Sequence, residues 1–199
     1  MFDSNILNSG EMRMKAVVLN KPHDVQVREV PDPRIGDDQV LLKVKSCGVC
    51  RTDIHLVHGE FLAKFPLIPG HEFVGEVAAV GKNVRDFKPG DRVCADNTEL
   101  CGHCYYCRRN QPLYCENFNS LGVNRPGGFA EYVAVRHDKV FPLGDLTFDQ
   151  GVFVEPTACA VHGLDVIDVR PGDDVLLFGT GPTGLILAQL LKAAGAARL

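Results

Sequence analysis

Apolar residues recur at every second position through much of the chain, and only near its end does the spacing become helical. Lys15 to Leu19 begins a β-rich apolar run, whereas residues 1–13 carry no pattern and are expected to form a loose extension ahead of Met14. Val25 to Val30 alternates as Val-Gln-Val-Arg-Glu-Val, the mark of a half-buried strand, and Pro31-Asp32-Pro33 stops it. Val40 to Lys45 and Phe73 to Val80 predict two further strands, the second turned by Gly81-Lys82-Asn83. Lys88-Pro89-Gly90-Asp91 is a turn before Arg92 to Ala95, and Gly127 to Val135 supplies one more turn and strand. Short strands between Gly and Pro turns predict a mostly β, barrel-like domain over 14–154.

The period changes at Glu155-Pro156. Ala160, Val161, Leu164 and Ile167 follow at helical spacing, with the proline placed in the first turn, where its missing N–H would have had no partner. Pro171-Gly172-Asp173 ends that helix. Asp174 to Phe178 predicts a strand covered on both faces, and Leu185 to Ala194 an apolar helix closed by Gly195. Residues 155–199 therefore read as a linking helix and the first β-α unit of an α/β fold.

Composition narrows the class without naming a function. The chain has 199 residues, 45% hydrophobic and 23% charged, with a formal net charge of -4, which suits a soluble globular protein and argues against a general nucleic-acid surface. No uncharged apolar run reaches the roughly 18 residues that a membrane span needs. Met1 to Met14 lacks the basic and apolar regions of a signal peptide, so the expected location is cytoplasmic.

Three constellations carry candidate chemistry. Cys101-x2-Cys104-x2-Cys107-x7-Cys115 has the spacing of a closed four-thiolate metal site, with two disulfides as the alternative. Such a cage leaves no open position and shapes a loop. Cys50, His71 and Glu72 offer a thiol, an imidazole and a carboxylate, the mixed set of an open site, with Glu155 as a further carboxylate. His71 and Glu72 are adjacent, however, and successive strand residues point to opposite faces, so both can bind one ion only where the backbone bends. His162 is expected to pack or to make a hydrogen bond. Gly179-x-Gly181-Pro182-x-Gly184, between a strand and a helix, has the context of a dinucleotide loop in which phosphates meet a helix N-terminus.

Together these residues resemble a known family. Gly48-Val49-Cys50-Arg51-Thr52-Asp53-Ile54-His55, Gly70-His71-Glu72-x-x-Gly75 with Gly81 and Val84, the four-cysteine lobe and the Gly179 to Gly184 loop are similar to the zinc-containing medium-chain alcohol dehydrogenases. The match runs in order from about Met14 to Leu199. Where those enzymes have a second cysteine this chain has Glu155-Pro156, followed by His162-Gly163, which resembles the polyol branch typified by sorbitol and arabinitol dehydrogenases. The resemblance implies a GroES-like catalytic domain with a structural zinc lobe, then a Rossmann domain of which only the beginning is present.

It also implies two zinc ions per chain and NAD or NADP, with the selecting residue beyond Leu199. The implied catalytic-zinc ligands are Cys50, His71 and Glu72, with Glu155 bound directly or through water. Asp53 would orient His71, Arg51 would reach the pyrophosphate, Cys47 would be structural, and Thr52 and His55 would relay a proton. The implied reaction is oxidation of a secondary alcohol, such as a polyol, to a ketone in a homo-oligomer. Leu121 to Gly127 resembles the threonine dehydrogenases and keeps that substrate class open. A zinc-binding module without turnover is the alternative from another class, and it would leave Leu176, Leu177, Leu185, Ile186 and Leu190 short of partners.

Overall fold

The computed structural model describes residues 13–199. The expected N-terminal extension lies outside the described residues except for Arg13, which already opens the first strand. In chain order the elements are β1 (Arg13–Lys21), β2 (Asp24–Pro31), β3 (Gln39–Gly48), α1 (Arg51–Val57), β4 (Glu72–Val80), β5 (Arg92–Ala95) and β6 (Thr98–Glu99). They continue with β7 (Asn119–Ser120), β8 (Tyr132–Arg136), β9 (Val140–Pro142), α2 (Phe148–Gly151), α3 (Val154–Ile167) and α4 (Pro182–Ala193).

An antiparallel five-stranded sheet in the order β8-β3-β4-β5-β9 carries the principal core. Val40 and Leu42 of β3 point inward while Lys43 points out, and they meet Phe73 and Val77 of β4, Val93 of β5 and Val133 and Val135 of β8. Each such side chain contributes about 2 kcal/mol when removed from water. The pairing of β3 with β4 slips between Val44 and Ser46, where Lys45 is the extra residue of a bulge. A bulge re-aims the residues beyond it. Here those residues are Cys47 and Gly48, opposite Phe73 and Glu72.

β1 and β2 form a separate ribbon whose inner face packs Met14, Ala16 and Val18 on Ile68. The half-buried alternation expected for β2 is not found: Val25 and Val27 are 49% and 73% exposed. Among the described residues β2 pairs only with β1, and no second layer covers it.

The C-terminal residues also depart from expectation. α3 ends at Ile167, where Asp168 adopts a left-handed conformation (φ 49°), ahead of the expected proline stop. Asp174 to Phe178 does not form a strand: one parallel bridge joins Asp174 to Arg198, and Leu176 and Phe178 are 77% and 87% exposed. A strand covered on both faces needs neighbours on both sides. Within the described residues only the short stretch at Arg198 lies beside it. Leu185 is likewise exposed, while Leu191 of α4 is buried. No helix among the described residues is long and apolar enough to cross a membrane.

Asp96 ties β5 to its neighbours. Its Oδ1 accepts from the Thr98 N–H at 2.8 Å and the Thr98 hydroxyl at 2.7 Å, and its Oδ2 from Lys139 Nζ at 2.5 Å. Partial burial opposes ionisation, but Lys139 and Thr98 prevail and hold the carboxyl below its ordinary value. A depressed carboxyl stabilises the fold above its unfolded pKa, and that contribution is lost as pH falls through the folded value. Asp96→Ala is therefore expected to cost about 1 kcal/mol at neutral pH, a modest figure because the carboxylate is part exposed. Urea melts should show the gap between variant and parent closing as the pH drops below the ordinary aspartate value.

Candidate metal centres and nucleotide loop

The cysteine lobe grows from β6 and β7, which pair Thr98 with Ser120 and Glu99 with Asn119. Two short 3-10 turns, Cys107–Arg109 and Pro112–Tyr114, fold the intervening chain back on itself. Cys101, Cys104, Cys107 and Cys115 are all free thiols whose sulfurs lie within 4.8 Å of one another. Four sulfurs at about 2.3 Å from a tetrahedral zinc stand about 3.8 Å apart. The observed Cys101–Cys115 and Cys101–Cys107 separations of 3.6 and 4.0 Å bracket that value. The Cys101 thiol is lowered to about 6, first by the His103 backbone N–H, whereas desolvation and its sulfur neighbours push Cys107 up to about 12. The Cys104 thiol is lowered too, first by the Cys107 backbone N–H. A lobe that favours thiolates at Cys101 and Cys104 but resists one at Cys107 is suited to a cation that replaces the protons.

The second cluster is built at the open end of β3 and β4. Cys50 precedes α1, and its backbone N–H donates to Asp53 Oδ2 at 2.8 Å. The other oxygen of Asp53 accepts from the Gly70 N–H at 3.3 Å. Gly70 sits at φ 90°, and this bend places His71 ahead of β4, whose first residue is Glu72. The backbone bend that adjacent ligands require is thus present. Cys50, His71 and Glu72 bring their donor atoms within 4.8 Å of one another.

Gly48 faces Glu72 across the ladder, and a Cβ added there would stand 2.2 Å from Glu72 Oε2. The carboxylate occupies the space that a side chain would fill. His71 is 6% exposed, and its Nδ1 lies 3.7 Å from Asp53 Oδ1, buried and without a hydrogen-bond partner. That orientation leaves Nε2 as the nitrogen for a metal, with Asp53 behind the ring. Burial raises the Cys50 thiol, with Glu72 adding to it, so the cluster is poorly matched to its own negative charge and well matched to a cation.

Glu155 stands beside the cluster but outside the 4.8 Å group. Its carboxyl is raised, chiefly by burial, with His71 opposing and Glu72 adding to the shift. Its Oε1 accepts from Asn97 Nδ2 at 3.4 Å and from the Cys159 thiol at 3.8 Å. Thr52 Oγ1 is 3.8 Å from the Cys50 sulfur. His55 lies one turn further along α1 with Nδ1 on Glu60, and no hydrogen bond joins it to Thr52 among the described residues. His162 is exposed in an open groove with Thr157, Val161 and Asp165, and makes no hydrogen bond among the described residues.

At the nucleotide loop each glycine has a distinct task. Gly179 adopts φ 102°, Gly181 has open space where a Cβ would be, and a Cβ on Gly184 would fall 2.2 Å from the Gly179 carbonyl oxygen. Gly181 caps α4, and Pro182 begins it. The exposed N–H groups of that first turn can receive a phosphate.

The family profile described as alcohol dehydrogenase GroES-like domain matches residues 36–145. The chain belongs to that family. Its GroES-like domain holds the β sheet, the lobe and the open cluster. D-arabinitol dehydrogenase 1 of Uromyces fabae is 52% identical over 187 residues, covering 94% of this chain and 54% of the relative. An L-threonine 3-dehydrogenase of Aeromonas hydrophila is 38% identical over 189 residues, 92% of this chain and 55% of the relative. Among solved structures, a Sinorhizobium meliloti 1021 protein described as a zinc-binding dehydrogenase, bound to NADP, superposes with a TM-score of 0.91 at 41% identity. That match covers 94% of this chain and 55% of the other. The chain thus spans about half the length of the curated relatives it matches.

Asn97 and the space above Gly48 escaped the sequence reading. Metal analysis of the GroES-like chain is expected to find two ions. Cys50→Ser should retain one, whereas Cys104→Ser should lose the lobe ion and lower the melting temperature. Gly48→Ala should weaken the open site about tenfold or more by moving Glu72, leaving the lobe filled.

Proposed function

We propose that the protein is a zinc-dependent oxidoreductase that converts a secondary alcohol of a polyol or sugar alcohol to a ketone, with NAD or NADP as hydride acceptor. The observation that carries this reading is the cluster of Cys50, His71 and Glu72 with Glu155 beside it. It occurs in a chain 52% identical to a D-arabinitol dehydrogenase. Residues 14–154 form the catalytic domain in this reading, and 155–199 begin the nucleotide-binding domain.

When bound, zinc supplies Lewis acidity to the substrate hydroxyl, and the nicotinamide supplies the acceptor for the hydride from the carbinol carbon. Cys50, His71 and Glu72 would hold the ion, and the substrate hydroxyl would approach it beside them. Asp53 keeps the His71 ring in place from behind. The Thr52 hydroxyl, next to Cys50, would accept the substrate proton as it releases its own. His55, one turn further along α1 and not bonded to Thr52 among the described residues, would take the released proton through intervening water and pass it to solvent. Imidazole is suited to that exchange near neutral pH. The N-terminal turn of α4, opened by Gly179, Gly181, Pro182 and Gly184, binds the cofactor phosphates.

A second reading, oxidation of L-threonine, is favoured by the Aeromonas relative and by Leu121 to Gly127. That segment packs behind the site: Gly122 and Gly127 would each place a Cβ 2.3 Å from the Gly70 carbonyl oxygen. Its likeness therefore reflects support for the metal site more than choice of substrate. Sugar alcohols, L-threonine and simple alcohols should be assayed with NAD and with NADP. The fastest turnover is expected on a sugar alcohol and should vanish in Cys50→Ser. A preference for threonine would select the second reading, and no turnover in a fully metal-loaded protein would leave a zinc-binding module.

A further inference from the structure

Asn97 lies between β5 and β6, at the root of the cysteine lobe, and is only 8% exposed. Its side-chain nitrogen carries two hydrogens, and it donates to the His71 carbonyl at 3.4 Å and to Glu155 Oε1 at 3.4 Å. Its own backbone carbonyl accepts from the Leu121 N–H at 2.8 Å, on the strand that returns from the lobe. One buried amide therefore touches the chain of a ligand, a neighbouring carboxylate and the base of the second metal centre.

We propose that Asn97 is a positioning residue of the open metal site, fixing the Glu155 carboxylate relative to His71. This rests on the reading of Cys50, His71 and Glu72 as a metal site. Two carboxylates share the site, and like charge drives Glu155 away from Glu72. Asn97 opposes that movement with a neutral donor, which restrains Glu155 without cancelling its charge. Both donors to Glu155, Asn97 and the Cys159 thiol, fall on Oε1, so Oε2 is the oxygen left for the metal or its water. An aspartate in the same place would keep the shape, lose both donated bonds and add a third negative charge.

The test is a cobalt titration of the metal-free chain, followed by absorption and by competition with a chelator. Four thiolates and a single thiolate give different charge-transfer bands, so the two sites are read separately. Asn97→Asp is expected to weaken cobalt binding at the open site about tenfold or more and to shift its visible bands, with lobe affinity unchanged. Asn97→Ser, which removes the donor without adding charge, should act in the same direction, and intact lobe binding in either variant reports an intact fold. In a Glu155→Gln background the effect of Asn97→Ser should shrink, because without the Glu155 charge there is no repulsion from Glu72 for Asn97 to oppose. Open-site affinity unchanged in both Asn97 variants, or an undiminished Asn97→Ser effect in the Glu155→Gln background, overturns the proposal. A parent chain that binds one cobalt, in the lobe alone, would instead remove the metal-site reading on which it stands.

Discussion

Close backbone contact at Gly70 is the constraint on which the site depends. Its N–H is held by Asp53, its carbonyl oxygen accepts from Gly128 at 2.7 Å, and Gly122 and Gly127 pass so near that neither could carry a side chain. Two stretches distant in sequence, at Asp53 and at 122–128, are thereby fixed against one peptide. His71 inherits its position from that junction, and Asp53 links it to Cys50 at the start of α1. The ligands are placed by backbone hydrogen bonds in a water-poor interior, where leaving such groups unpaired costs about 1–3 kcal/mol each.

Two clusters divide the chemistry by their donors. The lobe gathers four like ligands on a loop that contributes little to the main core, and its geometry is satisfied by one tetrahedral ion. The other cluster mixes sulfur, nitrogen and oxygen and stands at the end of the principal sheet, with Cys50 at the start of α1, His71 just before β4 and Glu72 on it. A cage that is complete resists exchange, whereas an incomplete one accepts a substrate atom.

Most of the sheet was legible because alternation is a local signal, and β1, β3, β4, β5 and β8 stand where it put them. Alternation overstated the burial of β2, and the continuous apolar run of Asp174 to Phe178 overstated a strand, since either pattern reports what a strand can bury and not whether a partner is there. α1 went unread because it has only seven residues and is capped by cysteine with Asp53 at its third position, an unusual form of the capping box. α2 did have a readable signal, Thr147 followed by Gln150, whose side chains cap each other. The two groups that the structure brings together, the four lobe cysteines and Cys50 with His71 and Glu72, could be picked out from their spacing and neighbours. Asn97 could not, because its contacts to His71 and Glu155 cross 26 and 58 residues of chain and leave no periodic trace.

The space above Gly48, filled by Glu72, has a wider meaning. Glu72 reaches the site by lying over its partner in the ladder, so the length of the acid and the size of the residue opposite are one property shared between β3 and β4. A methyl group gained on one strand must be matched by a methylene lost on the other. A larger residue at position 48 displaces the Glu72 carboxylate, so the reach of that carboxylate is set by volume as much as by charge.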